Sequence, residues 1–458
     1  MTTELGVLPS DWRVDRFDSL FDVQQGKQVS KKNRVGQNQR SFLRTKNVLW
    51  NRLDLNDLDE MHFSEADETR LALKPDDLLI CEGGDIGRTA IWRGGIANCY
   101  YQNHLHRARI RTPEAADAQF VLFWLWYAFE FGNLYFGRGN VTTIPNFSQS
   151  KLRELPLAIP PLAEQRKIAG VLSLVQRAME QQERLIALTT ELKKALMHQL
   201  FTHGIRGEPQ KQTEIGSVPQ SWEVADLAGL LEIKHGFAFM GEFFAPDGHY
   251  ILLTPGHFFE DGGFRDQKDK TKFYAGDFPR SYLLAKGDLL VAMTEQKAGL
   301  LGSSIVIPES DRYLHNQRLG LIHKLDDSRL DKLFLYYFFN TADVRKRIAM
   351  TSSGSKVRHT SPRKIRELKI ALPNVDEQRQ IVTILQAADA KVALHGRKYA
   401  ALSELFRTLL HQLMTGQIRV NELEGPSGTV TVFARPLRRT PEPLPATLTS
   451  RPESVRFA

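Results

Sequence analysis

The sequence predicts an α+β protein in which a globular domain followed by a long helix occurs twice in tandem, with the two helices paired as an antiparallel coiled coil. Three observations support this fold class. Short motifs recur in the same order in both halves, strand-like runs alternate with glycine-rich turns, and each half ends in a heptad pattern. At 458 residues the chain exceeds the usual size of one domain, as a duplication requires.

Matched motifs mark the two ends of each half. Near the beginning, Leu8-Pro9-Ser10-Asp11-Trp12 corresponds to Val218-Pro219-Gln220-Ser221-Trp222, and near the end His198-Gln199-Leu200 corresponds to His411-Gln412-Leu413. The histidines are 213 residues apart and the tryptophans 210, so small insertions have accumulated between fixed ends. The framework therefore repeats while the stretches between its landmarks differ.

The globular part of each half is predicted to be a mixed domain. Apolar runs at residues 78–80, 90–92 and 305–307 indicate strands, and the aromatic runs 120–129 and 334–339 are interpreted as buried helices. A long helix is expected after Pro160-Pro161 and after Pro373, because proline is favoured at a helix start. The predicted boundaries are 1–158 and 206–371 for the globular domains, 159–205 and 372–420 for the long helices, and 421–458 for a tail that we expect to be disordered.

The second long helix carries a heptad seam, in which the spacing of apolar residues alternates between four and three. Its positions are Ile381, Leu385, Ala388, Val392, His395, Tyr399, Leu402, Phe406, Leu409 and Leu413. The same positions in the first helix are Ile168, Leu172, Val175, Met179, Gln182, Ile186, Thr189, Lys193, Leu196 and Leu200. Gln182 and His395 occupy equivalent places. Either they fix the register of the pair, or that part of the seam is solvated.

Composition limits the classes of function. The net charge of +8 and the isoelectric point of about 9.3 favour an anionic partner. The two cysteines, Cys81 and Cys99, exclude a disulfide framework and indicate a reducing compartment. The N-terminus lacks a secretory pattern and the apolar run 120–129 is too short to cross a bilayer, so we expect a cytoplasmic protein without membrane association.

The order of these motifs resembles the specificity subunits of type I restriction–modification systems. The order is (Leu/Val)-Pro-x-x-Trp, a variable domain, Pro-Pro-Leu-x-Glu-Gln-Arg-x-Ile as in residues 160–168, and a long helix, with all of it repeated up to residue 420. The resemblance implies that each globular domain is a target-recognition domain reading one half of a split site in double-stranded DNA. The helices would set the distance between the half-sites and dock two methyltransferase subunits.

The resemblance also implies a non-catalytic subunit that holds no cofactor or metal of its own. The methyltransferase subunits would methylate adenine with S-adenosylmethionine, and added motor–nuclease subunits would cleave unmethylated DNA with ATP and magnesium. Because two different domains stand on one repeated frame, the target should be asymmetric and gapped.

Candidate DNA contacts are side chains that can bond to base edges or phosphates from loops. In the first domain they lie in the basic loop 27–44 and in the glycine-flanked loop before the long helix: Lys27, Lys31, Lys32, Arg34, Arg40, Arg138, Asn140 and Thr142. In the second domain they are Lys234, His235, Gln296, Lys297, Ser355, Lys356 and Arg358. A basic loop is often only a solvated surface. The loops before the helices are the better candidates, because both halves keep that design.

Two other classes of function stay open. A structural adaptor would use the duplicated coiled coil to bridge two partner copies without reading DNA, but it would not need basic glycine loops at matching places. A nuclease or methyltransferase would need a metal or cofactor constellation, and the glycine-rich segment 83–87 lacks the Lys-Ser or Lys-Thr that follows a phosphate-binding loop. The leading hypothesis is therefore a DNA-reading subunit.

Overall fold

The computed structural model describes residues 2–132, 134, 147–296 and 298–423 of the chain. These residues form two compact units. The first contains the described residues up to 179 and those from 401 onwards, and the second contains those between 180 and 400. Each unit therefore combines one globular domain with a segment from each long helix. The fold is a mixture of helix and sheet, and its two halves repeat the same architecture, as predicted.

The first half of the chain comprises β1 (Thr2–Thr3), β2 (Gly6–Val7), β3 (Arg13–Arg16), α1 (Phe17–Leu20), β4 (Phe21–Gln25), β5 (Gln39–Leu43), β6 (Val48–Leu49), β7 (Arg52–Leu53), β8 (Asp59–His62), α2 (Glu65–Leu71), β9 (Leu78–Cys81), β10 (Thr89–Ile91), β11 (Tyr100–Tyr101), β12 (Leu105–Ile110), α3 (Ala118–Glu130), α4 (Gln149–Glu154), β13 (Pro156–Ile159) and α5 (Leu162–His203). The second half comprises β14 (Gln210–Thr213), β15 (Gly216–Pro219), β16 (Glu223–Asp226), β17 (Glu232–His235), β18 (Phe244–Ala245), β19 (Tyr250–Leu252), β20 (Phe273–Tyr274), β21 (Leu289–Ala292), β22 (Thr294–Glu295), β23 (Ser304–Val306), β24 (Tyr313–Leu314), β25 (Leu319–His323), α6 (Lys332–Phe339), α7 (Ala342–Met350), β26 (Arg358–His359), α8 (Pro362–Arg366), β27 (Lys369–Leu372) and α9 (Val375–Met414).

A four-stranded antiparallel sheet forms the centre of each globular domain. The strand order is β10-β9-β12-β4 in the first domain and β23-β21-β25-β17 in the second, which is the same order in equivalent strands. The inner strands β9 and β21 are buried along their whole length, which explains their uninterrupted apolar sequences. A smaller sheet beside each contains one parallel pair, β5 with β11 and β19 with β24. The duplication therefore extends to topology.

The aromatic runs are buried helices, as predicted. Phe123 of α3 and Phe334 of α6 are fully buried. Each helix begins at an aspartate whose carboxylate accepts backbone N–H bonds, Asp117 for α3 and Asp331 for α6, which is the usual way to satisfy a helix start. Within the described ranges, no helix combines the length and apolarity that spanning a bilayer demands.

Each long helix is joined to its domain by the glutamine of the repeated Glu-Gln motif. Gln165 Oε1 accepts from the backbone N–H of Asp117 at 2.8 Å, and its amide donates to the carbonyl of Pro160 at 2.9 Å. Gln378 Oε1 accepts in the same way from Asp331 at 2.7 Å. Both glutamines are buried, so a shared structural role explains why this residue recurs in the two halves.

The glutamate of the same motif bonds to the segment that follows the other long helix. In the first unit, the Arg419 guanidinium donates to Asp11 at 2.9 and 2.6 Å and to both carboxylate oxygens of Glu164 at 2.7 Å. Trp12 Nε1 also donates to Glu164, at 3.3 Å. The Pro-x-x-Trp motif, the helix-start motif and the segment after α9 therefore meet in one hydrogen-bonded cluster, which we call the Arg419 clamp.

The equivalent joint in the second unit is weaker. Arg206 approaches Glu377 at 3.5 Å, and its side chain is 52% exposed. Ser221 stands in the place of Asp11, and its hydroxyl donates to Glu208 at 2.5 Å instead of receiving an arginine. The same repeated motifs thus build a clamp with several short arginine bonds in one unit, and one long ion pair with a backbone bond from Ile205 to Glu377 at 3.3 Å in the other.

Seam residues of the long helices lie in the apolar core of each unit. In the first unit, Leu172 of α5 and Phe406 of α9 belong to one buried cluster. In the second unit, Leu200 of α5 and Ile381 of α9 belong to another. The heptad pattern therefore marks buried faces, as expected for helices that pack through their seams.

The polar seam residues have specific partners. His395 Nδ1 donates to Gln182 Oε1 at 2.8 Å, which favours the register interpretation of this position over the solvated one. Lys193 Nζ lies 2.5 Å from Asp389 Oδ1, and the Tyr337 hydroxyl donates to Asp389 Oδ2 at 2.7 Å. A lysine can therefore occupy the seam, because its ammonium group pairs with the Asp389 carboxylate and lies 5.7 Å from the centroid of the Tyr337 ring.

Candidate nucleic-acid interface

One end of the central sheet collects several predicted DNA contacts of the second domain. Strand β17 ends at His235, which pairs with Gly320, and β21 ends at Ala292, which pairs with Leu319. The carboxyl ends of β17 and β21 therefore lie at the same end of the sheet, next to the start of β25. Lys234 and His235 are at this end, and the chain leaves β21 here to enter β22.

A short antiparallel ladder brings two separate loops together at this end. Strand β22 pairs with β26, with Glu295 opposite Arg358. The segment after β22 begins with Gln296, and the loop before β26 contains Ser355 and Lys356. All three side chains are exposed. The β22–β26 ladder thus places Gln296 on one surface with Ser355 and Lys356, which are about 60 positions away in sequence.

The first domain has the same arrangement of strand ends. Gln25, the last residue of β4, pairs with His106, and Cys81, the last residue of β9, pairs with Leu105. The Gln25 side chain donates to Glu82 Oε2 at 3.0 Å and so ties two of these ends together. The end of the sheet is therefore equivalent in the two domains.

The loops before the long helices attach at this end in both domains. The backbone N–H of Phe147 donates to the carbonyl of Glu82 at 3.0 Å, as that of Thr360 does to Met293 at 2.9 Å. Thr360 follows the loop that carries Ser355 and Lys356, and Phe147 follows its counterpart in the first domain. The predicted residues of that counterpart, and one of the second domain, lie outside the described residues: Arg138, Asn140, Thr142 and Lys297.

A glycine that the sequence comparison of the halves missed occupies this sheet end in each domain. Gly26 follows β4 and Gly236 follows β17. A Cβ atom would collide with the carbonyl oxygen of Gln102 at the first position and of Asn316 at the second, so only glycine fits. The available signal was a glycine at the same place in both halves, directly before Lys27 and Phe237 respectively.

Lys27 of the basic loop is engaged within the first domain. Its Nζ lies 2.8 Å from Asp67 Oδ2 and donates to the carbonyl of His62 at 2.7 Å, and its side chain is only 13% exposed. Burial opposes ionisation of Asp67, but the hydrogen bonds from Lys27 and Ser64 outweigh that effect and lower the pKa of the carboxyl. These contacts favour a structural role for Lys27 over the predicted contact with DNA.

The other cations of the basic loop differ in how far they are engaged. Arg40 is paired with Glu68 at 2.7 Å, whereas Arg34 reaches Asp59 at only 3.5 Å and is half exposed. Lys31 and Lys32 are exposed, and no ion pair joins either one to another described residue. Lys31, Lys32 and Arg34 are therefore the cations of this loop that are most available to a phosphate.

Two predicted contacts of the second domain are held by neighbouring groups. Lys234 Nζ donates to the carbonyl of Ser281 at 2.6 Å and lies 4.2 Å from the centroid of the Tyr282 ring. Arg358 lies 3.3 Å from Glu295, and these contacts favour a positioning role for Arg358 over the base or phosphate contact predicted for it. The candidates that remain exposed at this sheet end are His235, Gln296, Ser355 and Lys356.

A family model matches both halves of the chain. The model of the type I restriction modification DNA specificity domain covers residues 9–190 and 219–404. The chain belongs to this family. Each matched segment contains one central sheet and the beginning of one long helix, so the duplicated element is a DNA specificity domain with its helix.

Curated specificity subunits are similar to much of the chain. The type I restriction enzyme MjaVIII specificity subunit of Methanocaldococcus jannaschii is 25% identical over 289 residues, which cover 62% of this chain and 66% of that protein. A protein named as the MjaX specificity subunit of the same organism is 23% identical over 431 residues, which cover 91% of this chain and 96% of that protein. The second similarity spans both specificity domains.

Two solved structures share the fold. The S subunit of a type I restriction–modification system from M. genitalium is 17% identical, with a TM-score of 0.54 over 90% of this chain and 99% of that chain. A chain from a structural study of the assembly and conformational transition of the type I R-M system is 15% identical, with a TM-score of 0.55 over 90% of this chain and 100% of that chain. The tandem architecture is therefore shared with a specificity subunit of known structure.

The histidine buried next to this sheet end serves the fold. Burial lowers the pKa of His315 to about 4, so this residue is neutral at pH 7 and donates through Nε2 to the carbonyl of Leu319 at 2.9 Å. Across the described part of the chain, no group of three or more His, Cys, Asp or Glu side chains is placed to hold a metal ion. The exposed groups at this sheet end are hydrogen-bond donors, acceptors and cations, which suit base edges and phosphates.

Proposed function

We propose that this chain reads a bipartite DNA target for a type I restriction–modification complex, with one half-site read by each globular domain. The observation that carries the proposal is the convergence of separate loops at one end of the central sheet, in equivalent positions of both domains. In the second domain these loops present His235, Gln296, Ser355 and Lys356, which can bond to base edges and phosphates. Membership of the DNA specificity family supports the same role.

Different chemistry on the same frame supports two different half-sites. After the strand-end glycine, the first domain continues with Lys27 and the exposed Lys31 and Lys32, whereas the second continues with Phe237 and Met240, which is 55% exposed. Side chains of different character at equivalent places recognise different base patterns. We therefore expect an asymmetric target whose two parts are separated by a gap.

We infer that α5 and α9 pair as an antiparallel coiled coil that fixes this gap. Packing inside the units supports the pairing, because the beginning of α5 lies in one core with the end of α9, and the end of α5 lies in another with the beginning of α9. The bond between Gln182 and His395 joins the two helices near their middles. Helices of 42 and 40 residues are about 60 Å long at 1.5 Å per residue, a rigid separation that would set the distance between the half-sites.

Docking of two methyltransferase subunits on the helices is the second part of the proposal. Leu188 and Leu192, one helical turn apart on α5, are 50% and 53% exposed, and Leu394 of α9 is 41% exposed. Apolar side chains exposed on one helical face favour a protein partner. The methyltransferase subunits would supply S-adenosylmethionine chemistry, motor–nuclease subunits would use ATP and magnesium, and this chain would supply recognition without a catalytic step.

Selection from a pool of random duplexes tests the proposal. The chain is assembled with its methyltransferase subunit, and the complex is used to enrich the duplexes that it retains. We expect two short conserved blocks separated by a fixed number of unspecified base pairs. A single block, or no enrichment beyond that of the methyltransferase alone, would contradict bipartite reading and favour an adaptor that bridges two partner copies.

A further inference from the structure

Glu295 is a buried carboxylate at the sheet end where the recognition loops of the second domain meet. Its side chain is only 2% exposed although β22 lies next to exposed loops. Its Oε2 atom accepts three backbone N–H bonds, from Gly299 at 3.0 Å and from Leu300 and Leu301 at 2.8 Å. A carboxylate is costly to bury unless it is bonded in this way, and the bonds in turn fix the turn that follows β22.

The other oxygen of Glu295 reaches the second loop through Arg358. Arg358 Nη1 lies 3.3 Å from Glu295 Oε1. The same guanidinium donates to Ser352 Oγ at 2.8 and 3.1 Å and to the carbonyl of Ala349. One carboxylate therefore holds the turn after β22 directly and the turn before β26 through an arginine.

Arg345 completes this arrangement from the opposite side of the turn. Its guanidinium donates to the carbonyl of Leu301 at 2.7 Å, to that of Glu260 at 2.7 Å, and to that of Gly299. Glu295 thus accepts the N–H groups of residues 299–301, while Arg345 donates to the carbonyl groups of Gly299 and Leu301. Residues 299–301 are therefore held by side chains through both their N–H and their carbonyl groups before any DNA is present.

We propose that Glu295 is a positioning residue for the second half-site, binding the segments that carry Gln296, Ser355 and Lys356 into one rigid recognition surface. This inference rests on the proposed function. Base recognition requires several contacts in a fixed mutual geometry, whereas attraction to phosphates does not. Loss of Glu295 should therefore reduce discrimination between sequences more than it reduces affinity for DNA in general.

The described residues of the first domain contain no counterpart of Glu295 at the equivalent position, so the expected effect is specific to one half-site. Glu82 and Met293 hold equivalent places, since each accepts the backbone N–H of the residue that follows the loop before the helix. Two residues further on, the first domain has Gly84 where the second has Glu295. Reading by the first domain therefore serves as an internal control in the same molecule.

The test uses the assembled complex of the full chain with its methyltransferase subunit. Competition binding compares the selected duplex with duplexes altered in one block or in the other. Glu295→Gln should reduce discrimination by roughly tenfold at one block, the scale of a single mismatched base pair, and leave the other block unchanged. Glu309→Gln is the matched control, because Glu309 is exposed and lies beyond β23 at the opposite end of the sheet, where it contacts Arg312 at 3.3 Å and the Tyr313 hydroxyl at 3.4 Å. It should leave both blocks unchanged.

Arg358→Lys tests the contact between Arg358 and Glu295 by changing the arginine. Lysine keeps the charge but cannot donate to Glu295, Ser352 and Ala349 together, so it should reproduce the loss at the same block with the salt dependence of binding unchanged. Discrimination that is retained by both variants, or lost equally at both blocks, would overturn the positioning role. If the unaltered complex discriminates at neither block, the proposed function itself is wrong and this role falls with it.

Discussion

Replacing Arg419 with alanine should loosen the first unit much more than the matching Arg206→Ala change loosens the second. Arg419 bonds to Asp11 and to Glu164 through contacts of 2.6–2.9 Å, whereas Arg206 has one contact of 3.5 Å with Glu377. The two arginines hold equivalent positions in the duplication, so each variant is the natural control for the other.

Burial of Glu164 sets the size of the effect. Its side chain is only 11% exposed, so removal of Arg419 leaves a largely buried carboxylate without its cation. Loss of the partner of such a group costs about 1–3 kcal/mol, and we expect about 2–3 kcal/mol here because two strong hydrogen bonds are lost together. Glu377 is more buried still, at 1% exposed, but Arg206 is 52% exposed and lies 3.5 Å away, too far for a strong hydrogen bond. Glu377 also keeps the backbone N–H bond from Ile205 at 3.3 Å when Arg206 is removed, so we expect that change to cost about 1 kcal/mol or less.

Hydrogen exchange of the assembled complex measures the difference. A local loss of about 2–3 kcal/mol corresponds to exchange roughly 30 to 150 times faster, since about 1.4 kcal/mol is a factor of ten. The faster exchange should appear in the β3–β13 ladder and in the last turns of α9, which belong to the same unit as the Arg419 clamp. Equal effects of Arg419→Ala and Arg206→Ala would refute the reasoning, as would faster exchange confined to the second unit.

Changing Lys31 and Lys32 together to glutamine should make the negative slope of log K against log salt shallower by about 2, because each phosphate contact contributes about −0.9. An unchanged slope in DNA titrations at several salt concentrations would remove this loop from the interface. For His315, whose pKa falls from 6.5 to about 4 on burial, the unfolded chain binds a proton that the folded chain excludes as the pH drops through that window. The second unit should therefore lose up to about 3 kcal/mol of stability between these pH values. In pulse proteolysis, His315→Asn should flatten part of this dependence, and a profile identical to the wild type would contradict it. Insertion of one heptad into both long helices should widen the target gap by about 10 Å, or about three base pairs, and a constant gap in the selected duplexes would contradict the role of the helices as a spacer.

Features that depend on local pattern could be predicted from the sequence. The long helices begin at Leu162, directly after Pro161, and at Val375, two residues after Pro373, which is three residues beyond each predicted boundary. The aromatic runs are buried helices, and the polar seam residues Gln182 and His395 meet, as one of the two interpretations required. Helix starts, buried runs and heptads depend on residues that are close together in sequence, and the duplication supplies a second copy of each pattern.

The roles of individual charged residues could not be predicted, because their partners are distant in sequence. Lys27 meets Asp67 across 40 residues, and Arg358 meets Glu295 across 63. A pattern of basic residues in a loop does not distinguish a cation that binds phosphate from one that holds the loop in place. Glu295 gave no signal at all, since a lone glutamate after a strand has no pattern that marks it as buried.

The claim that this chain selects the DNA target is tested most directly by mapping methylated adenines in cells that contain the methyltransferase subunit with and without this chain. The expected result is a gapped two-part motif that is methylated only when the chain is present. The same methylated motif in cells that lack the chain, or no chain-dependent motif while the methyltransferase is active, would contradict the claim.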